Sequence, residues 1–258
     1  MAQSRRATPQ KSSYRSFYWI LGAIAVAGIG ALLYSVLRAR TGRAATEPVP
    51  MAALTSQQLY RTARPVTLGQ TSAPVRMVVF SDYMCPFCGQ WASQVQPALV
   101  NDFVKPGKLQ ILYYDFPLGG AHRWSFLAAR GARCAEAQGK FWEYHDVVFG
   151  RQSEWSAASS EPVRLLEQYA GTVGLDQAKF NACLESDQYA DVVTANRQVG
   201  DQLGVDATPT IIINQQKISN PMDYGFLKEL IEKEASATAP TGAAPAPAPA
   251  TSTGGAGS

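Results

Sequence analysis

Two cysteines set two residues apart, at the mouth of a helix and just after a buried strand, leave a chain few ways to fold. Val75-Arg76-Met77-Val78-Val79-Phe80 has the apolar, β-branched content of a buried strand, and a helix-like stretch begins near Pro86. Cys85-Pro86-Phe87-Cys88 lies at the junction. The unpaired N–H groups and positive dipole end of a helix N-terminus stabilise a thiolate on the first cysteine. Pro86 suits the first helical turn, where its missing N–H would have had no partner. Position therefore makes Cys85 the exposed, nucleophilic sulfur with a lowered pKa, and Cys88, one turn further in, the more buried resolving thiol. The active-site turn is completed by Pro86 and Phe87. A CxxC is also half of a zinc site, but zinc needs two more ligands at suitable spacing. Cys134 and Cys183 stand 49 positions apart, and His122 and His145 show no paired spacing, so no metal is expected.

The 258 residues accommodate one substantial domain with appendages, and the formal charge of +3 is modest. Arg38, Arg40 and Arg43 flank an apolar segment instead of forming a basic face with interleaved aromatics, so nucleic acid is not an expected partner. Phe17 to Leu37 contains no charged side chain. At about 1.5 Å per residue it is long enough to cross a hydrocarbon core of about 30 Å. Phe17, Tyr18 and Trp19 at one end and Tyr34 at the other have the pattern of an interfacial aromatic belt. The rival is a cleaved signal peptide, whose apolar region runs to about 7–15 residues and ends at a small-x-small site. This run is longer and leads straight into Arg38, which favours an uncleaved signal-anchor: a transmembrane helix at 17–37 after a cytoplasmic N-terminus at 1–16.

Arg5, Arg6, Lys11 and Arg15 before the span barely outnumber the arginines after it, so charge alone orients it weakly. All four cysteines follow the span, and disulfide chemistry belongs outside the cytoplasm, so the globular part is placed extracytoplasmically (periplasmic). Ala23, Ala27 and Ala31 give small-xxx-small spacing, a pattern ordinary for such spans. Residues 38–64 read as a linker. Residues 235–258, with Ala-Pro-Ala-Pro-Ala-Pro-Ala from 244 to 250, have almost nothing to bury and read as a disordered tail. No internal repeat is present.

Within 65–234, a helix is predicted from Pro86 to about Phe103, ended by Lys105-Pro106-Gly107, and a second strand over Leu109 to Phe116. His122 to Phe149, Pro162 to Val173, Gln177 to Glu185 and Gln188 to Leu203 read as helical. Thr210 to Asn214 is a short strand, Gln215-Gln216 a turn, and Phe226 to Glu234 a closing amphipathic helix. The fold class is α/β, with a helical insertion between a strand–helix–strand start and a strand–helix finish.

The motifs together carry a resemblance. Val78-Val79-Phe80-Ser81-Asp82-Tyr83-Met84-Cys85-Pro86-Phe87-Cys88, then Phe141-Trp142-Glu143-Tyr144-His145-Asp146, then Gly204-Val205-Asp206-Ala207-Thr208-Pro209-Thr210, resemble the DsbA-like thiol-disulfide oxidoreductases of thioredoxin fold, over roughly Val66 to Glu234. The resemblance implies a thioredoxin-like core with an inserted helical domain at about 117–205, preceded here by one N-terminal transmembrane helix. It implies a cis peptide bond before Pro209, which packs beside the Cys85–Cys88 pair, with Thr208 and Pro209 binding an extended substrate segment. It also implies exported protein thiols or disulfides as substrates, a membrane redox partner that recycles the CxxC, and no cofactor, since the electron pair resides in the two sulfurs.

Two positions depart from the pattern. Where many relatives bury an acidic side chain six residues before the first cysteine, this chain has Val79; Asp82 is nearby in sequence, with no assigned role. Where strongly oxidising relatives place His between the cysteines, this chain has Phe87, which supplies no hydrogen bond. Similar proteins sometimes join a pair such as Cys134 and Cys183 as a structural disulfide; the alternative is two small buried side chains that never meet. His145, among Phe141, Trp142 and Tyr144, reads as packing, and His122 as a helix cap or a groove residue. The favoured function is a membrane-anchored oxidase of exported thiols. A reductase or isomerase with the same CxxC is the alternative, and a non-catalytic peptide-binding module is the third.

Overall fold

A computed structural model describes residues 14–41 and 45–238. Of the expected terminal segments, 1–13 and 239–258 lie outside the described residues. The chain divides into two units, Met1–Ala44 and Ala45–Ser258. In the first, α1 (Tyr14–Thr41) is a single helix whose described side chains, among them Trp19, Ile24 and Leu32, are all exposed. Among the described residues no helix is long and apolar enough to cross a membrane. In α1 the described side chains run only from Phe17 to Leu33, so the anchor expected at 17–37 reaches beyond them.

The second unit is built on a five-stranded sheet of order β1-β3-β2-β4-β5. Its central strands, β2 (Val75–Ser81) and β3 (Leu109–Asp115), are parallel, with Val79 opposite Tyr113. Parallel neighbours need a long crossover, and the helical stretch 86–104 supplies it. That stretch is not one uniform α-helix. α3 (Pro86–Gln90) and α4 (Gln96–Leu99) are each followed by a π-helical turn, Trp91–Val95 and Val100–Val104. Pro97 explains the first interruption: it has no N–H and its ring clashes with a carbonyl one turn back. The Gln96 N–H reaches Trp91 O in the wider spacing.

β4 (Thr210–Ile213) runs antiparallel to β2, and β5 (Gln216–Lys217) antiparallel to β4. The turn between them is Asn214-Gln215, both at positive φ (44° and 77°), and not Gln215-Gln216. A two-residue hairpin favours that conformation because it matches strand twist. β1 (Val66–Leu68), which the sequence reading missed, lies antiparallel to β3. α11 (Tyr224–Thr238) closes the fold with Leu227 and Ile231 buried.

The expected helix from His122 to Phe149 is two, α5 (Ser125–Glu136) and α6 (Phe141–Gly150), separated at Gly139, whose φ of +72° only glycine adopts easily. A short α7 (Gln152–Ser156) follows, then α8 (Val163–Thr172), α9 (Gln177–Glu185) and α10 (Ala190–Gln202). Cys134 in α5 and Cys183 in α9 are joined by a disulfide. α10 lies so close to the sheet that a Cβ on Gly200 would come 2.5 Å from the Phe116 ring.

Residues 45–64, expected as a tether, are instead packed on the domain. Ala45 N donates to Asp187 Oδ1 at 2.8 Å, Arg130 Nη1 donates to Ala45 O at 2.8 Å, and Val49 N donates to Thr194 Oγ1 at 3.1 Å. α2 (Ser56–Thr62) begins with a capping box between Thr55 and Gln58, and buries Leu59 against Phe80, Phe116 and Val199. The hydrogen-bonding partners lie 85 to 145 positions away in sequence, which is why local composition conceals the docking. Arg133, wholly buried, ties the insertion to the sheet: its Nε donates to Asp115 Oδ2 at 2.6 Å and its Nη2 to Asn196 Oδ1 at 2.9 Å.

The Cys134–Cys183 bridge closes a loop of 49 positions, so the double Cys→Ser variant should lose up to about 4 kcal/mol of stability. Denaturant unfolding of the two proteins, compared at equal m-value, measures that loss.

Candidate active site

Cys85 occupies the N-cap of α3 in an extended conformation (φ −71°, ψ 120°), with Pro86 at the first helical position. Its carbonyl accepts from Gly89 N at 3.2 Å, which closes the first turn and turns Cys88 inward. The expected exposed sulfur is in fact largely covered: Cys85 is 5% exposed and Cys88 1%, whereas Phe87 is 61% exposed. The cover is the segment before β4. The Thr208–Pro209 peptide bond is cis, and Cys85 Sγ lies 3.2 Å from Thr208 O. Thus the structure brings together Cys85, Cys88, Pro86, Phe87, Thr208 and Pro209, while Cys134 and Cys183 sit apart in the insertion as a closed bridge.

Cys85 and Cys88 are both free thiols here, and their environments push them in opposite directions. The Cys85 pKa is lowered to about 5, first by the hydrogen bond from the Cys88 thiol, against the opposing effect of burial. Thr208 and the backbone N–H groups of Cys88 and Phe87 lower it further. Cys88 is held well above the usual thiol range by burial, by its bond to Cys85 and by the neighbouring negative charge. One sulfur is therefore a thiolate at neutral pH and the other its proton-bearing partner.

Two groups offset part of that burial at Cys88: the Asp82 N–H, 3.5 Å from Sγ, and the Ser81 hydroxyl. Val79, wholly buried, contributes no proton path. Nor does Asp82 take the missing acid's place. Its carboxylate is committed elsewhere, accepting from Met84 N at 2.6 Å and Leu118 N at 2.7 Å and lying 2.9 Å from His122 Nδ1. A second brace comes from α7: Gln152 Nε2 donates to Tyr83 O at 2.7 Å and to Cys85 O at 3.0 Å. No local sequence signal points to Gln152. Asp82 was in view at three positions before Cys85, but its partners on the 117–122 loop were not.

His145 is enclosed by rings, 5.8 Å from Tyr83, 5.2 Å from Tyr113 and 4.9 Å from Phe149 between centroids, in keeping with packing. Among the described residues no cluster of potential ligands is arranged to hold a metal ion.

The CxxC at a helix start and the cis-proline loop that faces it both lie within the region that a family comparison matches. The family model described as Thioredoxin (Thioredoxin_4) covers residues 61–233. The chain belongs to the DsbA-like thioredoxin-fold oxidoreductases. It is 30% identical over 169 residues to disulfide bond formation protein D of Bacillus subtilis, covering 65% of this chain and 75% of that one. It is 28% identical over 210 residues to the probable disulfide bond formation protein D of Bacillus anthracis, covering 80% and 89%. The crystal structure of oxidised BdbD from Bacillus subtilis superposes with a TM-score of 0.59 at 27% identity, covering 67% of this chain and 97% of that one. The protein is a thiol-disulfide oxidoreductase.

A thiolate held near pKa 5 is present above that pH and lost as pH falls through it. Alkylation of reduced Cys85 by iodoacetamide should therefore be fast and flat from about pH 6.5 to 7.5 and fall with a midpoint near 5. Cys88 should stay unmodified throughout, as peptide mapping of the alkylated protein checks.

Proposed function

We propose that this protein is a membrane-anchored, extracytoplasmic oxidase of exported protein thiols, with Cys85 and Cys88 as its redox pair. One observation carries the direction of electron flow: the Cys85 thiolate is stabilised from several sides to a pKa of about 5. Stabilising the thiolate stabilises the reduced enzyme, so the oxidised enzyme gains more by taking electrons. Thiol pKa values run from about 3.5 in strong oxidants of this chemistry to about 7 in thioredoxin, and this one lies below the thioredoxin value.

In the oxidised enzyme a substrate thiolate attacks Cys85 Sγ, forming a mixed disulfide while Cys88 leaves and takes up a proton. A second substrate thiolate attacks the substrate sulfur of that bond and expels the Cys85 thiolate. The substrate gains a disulfide, and its electron pair ends on the two enzyme sulfurs. Thr208 and Pro209, beside Cys85, are the surface on which an extended substrate segment is held. Re-oxidation falls to a membrane protein that passes electrons to a quinone. An anchor at 17–37 serves that exchange by raising the effective concentration of the two partners. The charge-free run from Phe17 to Leu37 and the exposed apolar side chains of α1 support the anchor.

A reductase or isomerase is the second reading, favoured by the buried apolar Val79 and by Phe87, which offers no donor to the thiolate. The reduction potential of the full-length protein in detergent, equilibrated against glutathione, separates the two. Oxidants of this fold lie near about −120 mV and thioredoxin near about −270 mV, a gap of roughly 7 kcal/mol for two electrons. A value close to the first is expected; a value close to the second would overturn the oxidase reading. Location is tested independently. After brief treatment of intact cells with a membrane-impermeant reductant, a membrane-impermeant maleimide should label Cys85, and the labelled chain should stay with the membrane fraction after alkaline extraction.

A further inference from the structure

His122 is the one ionisable imidazole in this chain that meets both a buried carboxylate and solvent. Its Nδ1 lies 2.9 Å from Asp82 Oδ2, and its side chain keeps 23% of its surface exposed while that of Asp82 keeps none. The loop that carries it is fixed from both sides. Leu118 N donates to the same carboxylate oxygen at 2.7 Å, Trp124 N donates to Met84 Sδ at 3.1 Å, and His122 N donates to Gly119 O at 2.9 Å. Asp82, in turn, donates its backbone N–H to Cys88 Sγ at 3.5 Å. A single residue thus links an imidazole on the insertion side to the redox pair.

We propose that His122, oriented by Asp82, is a positioning cation of the redox centre, supplying from the 117–122 loop the positive charge that Pro86 and Phe87 lack between the cysteines. This rests on Cys85 and Cys88 being the redox pair. The His122 pKa is raised, first by its bond to Asp82 and then, against its partial burial, by the charges of Asp82 and Cys85. A raised imidazole pKa means that the cation persists to higher pH and is lost as pH rises through the raised value. The other charged groups around the ring are few. Glu47 from the docked strap, Arg123 beside it and Arg197 from α10 line a cavity of about 260 Å³ with His122. Arg197 is already engaged with Asp201 Oδ1 at 3.0 Å and with Pro117 O at 2.5 Å. Asp82 holds the ring in place and His122 carries the titratable charge.

Coupling of this kind is reciprocal: if the cation favours the thiolate, the thiolate favours the cation by the same factor. The test uses the full-length protein in detergent. The chain has two histidines, so the imidazole C–H resonances are followed against pH in the reduced and oxidised forms and assigned with H122N. The His122 signal is expected to titrate at higher pH in the reduced form, where Cys85 is a thiolate. In H122N, which keeps a donor for Asp82 without the charge, the Cys85 alkylation midpoint should rise by about one pH unit. That tenfold change corresponds to a reduction potential about 30 mV more negative. H122K should recover most of both shifts, and all three proteins should unfold at closely similar temperatures. The proposal is overturned if His122 titrates identically in both redox states, or if H122N melts like wild type and leaves the Cys85 midpoint and the potential unmoved. Failure of wild-type Cys85 and Cys88 to exchange with a dithiol would instead remove the redox-pair assignment itself.

Discussion

A carboxylate shut away from water must have its oxygens occupied, and the way Asp82 meets that demand organises the active site. Burying an unpaired charge costs several kcal/mol even after the surroundings relax. Here two backbone N–H groups and an imidazole meet it, from Met84, Leu118 and His122. Met84 belongs to the turn that delivers Cys85, and Leu118 and His122 to the first loop of the helical insertion. The same residue's own N–H points at Cys88 Sγ. The turn before Cys85, the Cys88 sulfur and the insertion are therefore held by the Asp82 side chain and backbone. Losing that carboxylate would free Met84, Leu118 and His122 together, while the backbone N–H at Cys88 Sγ would remain.

The insertion also has a polar anchor beside its apolar packing on the sheet. Two buried arginines on successive turns of α5 provide it. Arg133 reaches Asp115 at the end of β3, Asn196 on α10 and the Arg64 carbonyl, so strand, helix and strap converge on one guanidinium. Its planar fork of five donors suits several partners at fixed angles in a way that a lysine would not. Arg130 does the same work one turn earlier, bonding the carbonyls of Ala45 and Leu184 and pairing with Asp187. Those partners flank Cys183, so the disulfide and the arginine fix the same corner, and the strap from residue 45 docks there.

Sequence reasoning reached the parts of this fold that local pattern dictates. The strand at Val75, the strand at Leu109, the helix at Gln177–Glu185 and the CxxC at a helix start all follow from periodicity and capping chemistry. It failed where the decisive partner is distant. β1 and β5 have three and two residues, too few to show alternation, and exist because a neighbouring strand edge accepts them. Residues 45–64 look like a linker by composition and become ordered through bonds to Asp187, Arg130 and Thr194. In the site, Cys85 and Cys88 were legible and the covering of Cys85 was not, because the cover arrives from Thr208, 123 positions later. Gln152 and His122 are readable only once the insertion is folded against the turn.

Phe87 and Val79 seemed to argue against an oxidising enzyme, since each replaces a side chain that relatives use. The geometry weakens that argument. The groups that lower the Cys85 pKa are the Cys88 thiol, Thr208, and the backbone N–H groups of Cys88 and Phe87. A backbone N–H is present whatever side chain stands at position 87, so Phe87 removes one possible contributor and leaves these in place. Val79 acts on the other sulfur, by denying it a nearby base, which concerns how fast a proton moves and not which redox state is favoured. Burial keeps Cys88 protonated, and a protonated Cys88 is the donor that stabilises its neighbour. The burial of Cys88 thus strengthens the asymmetry between the two sulfurs. That asymmetry, one thiolate and one thiol within a turn of helix, is the feature on which the proposed oxidase direction rests.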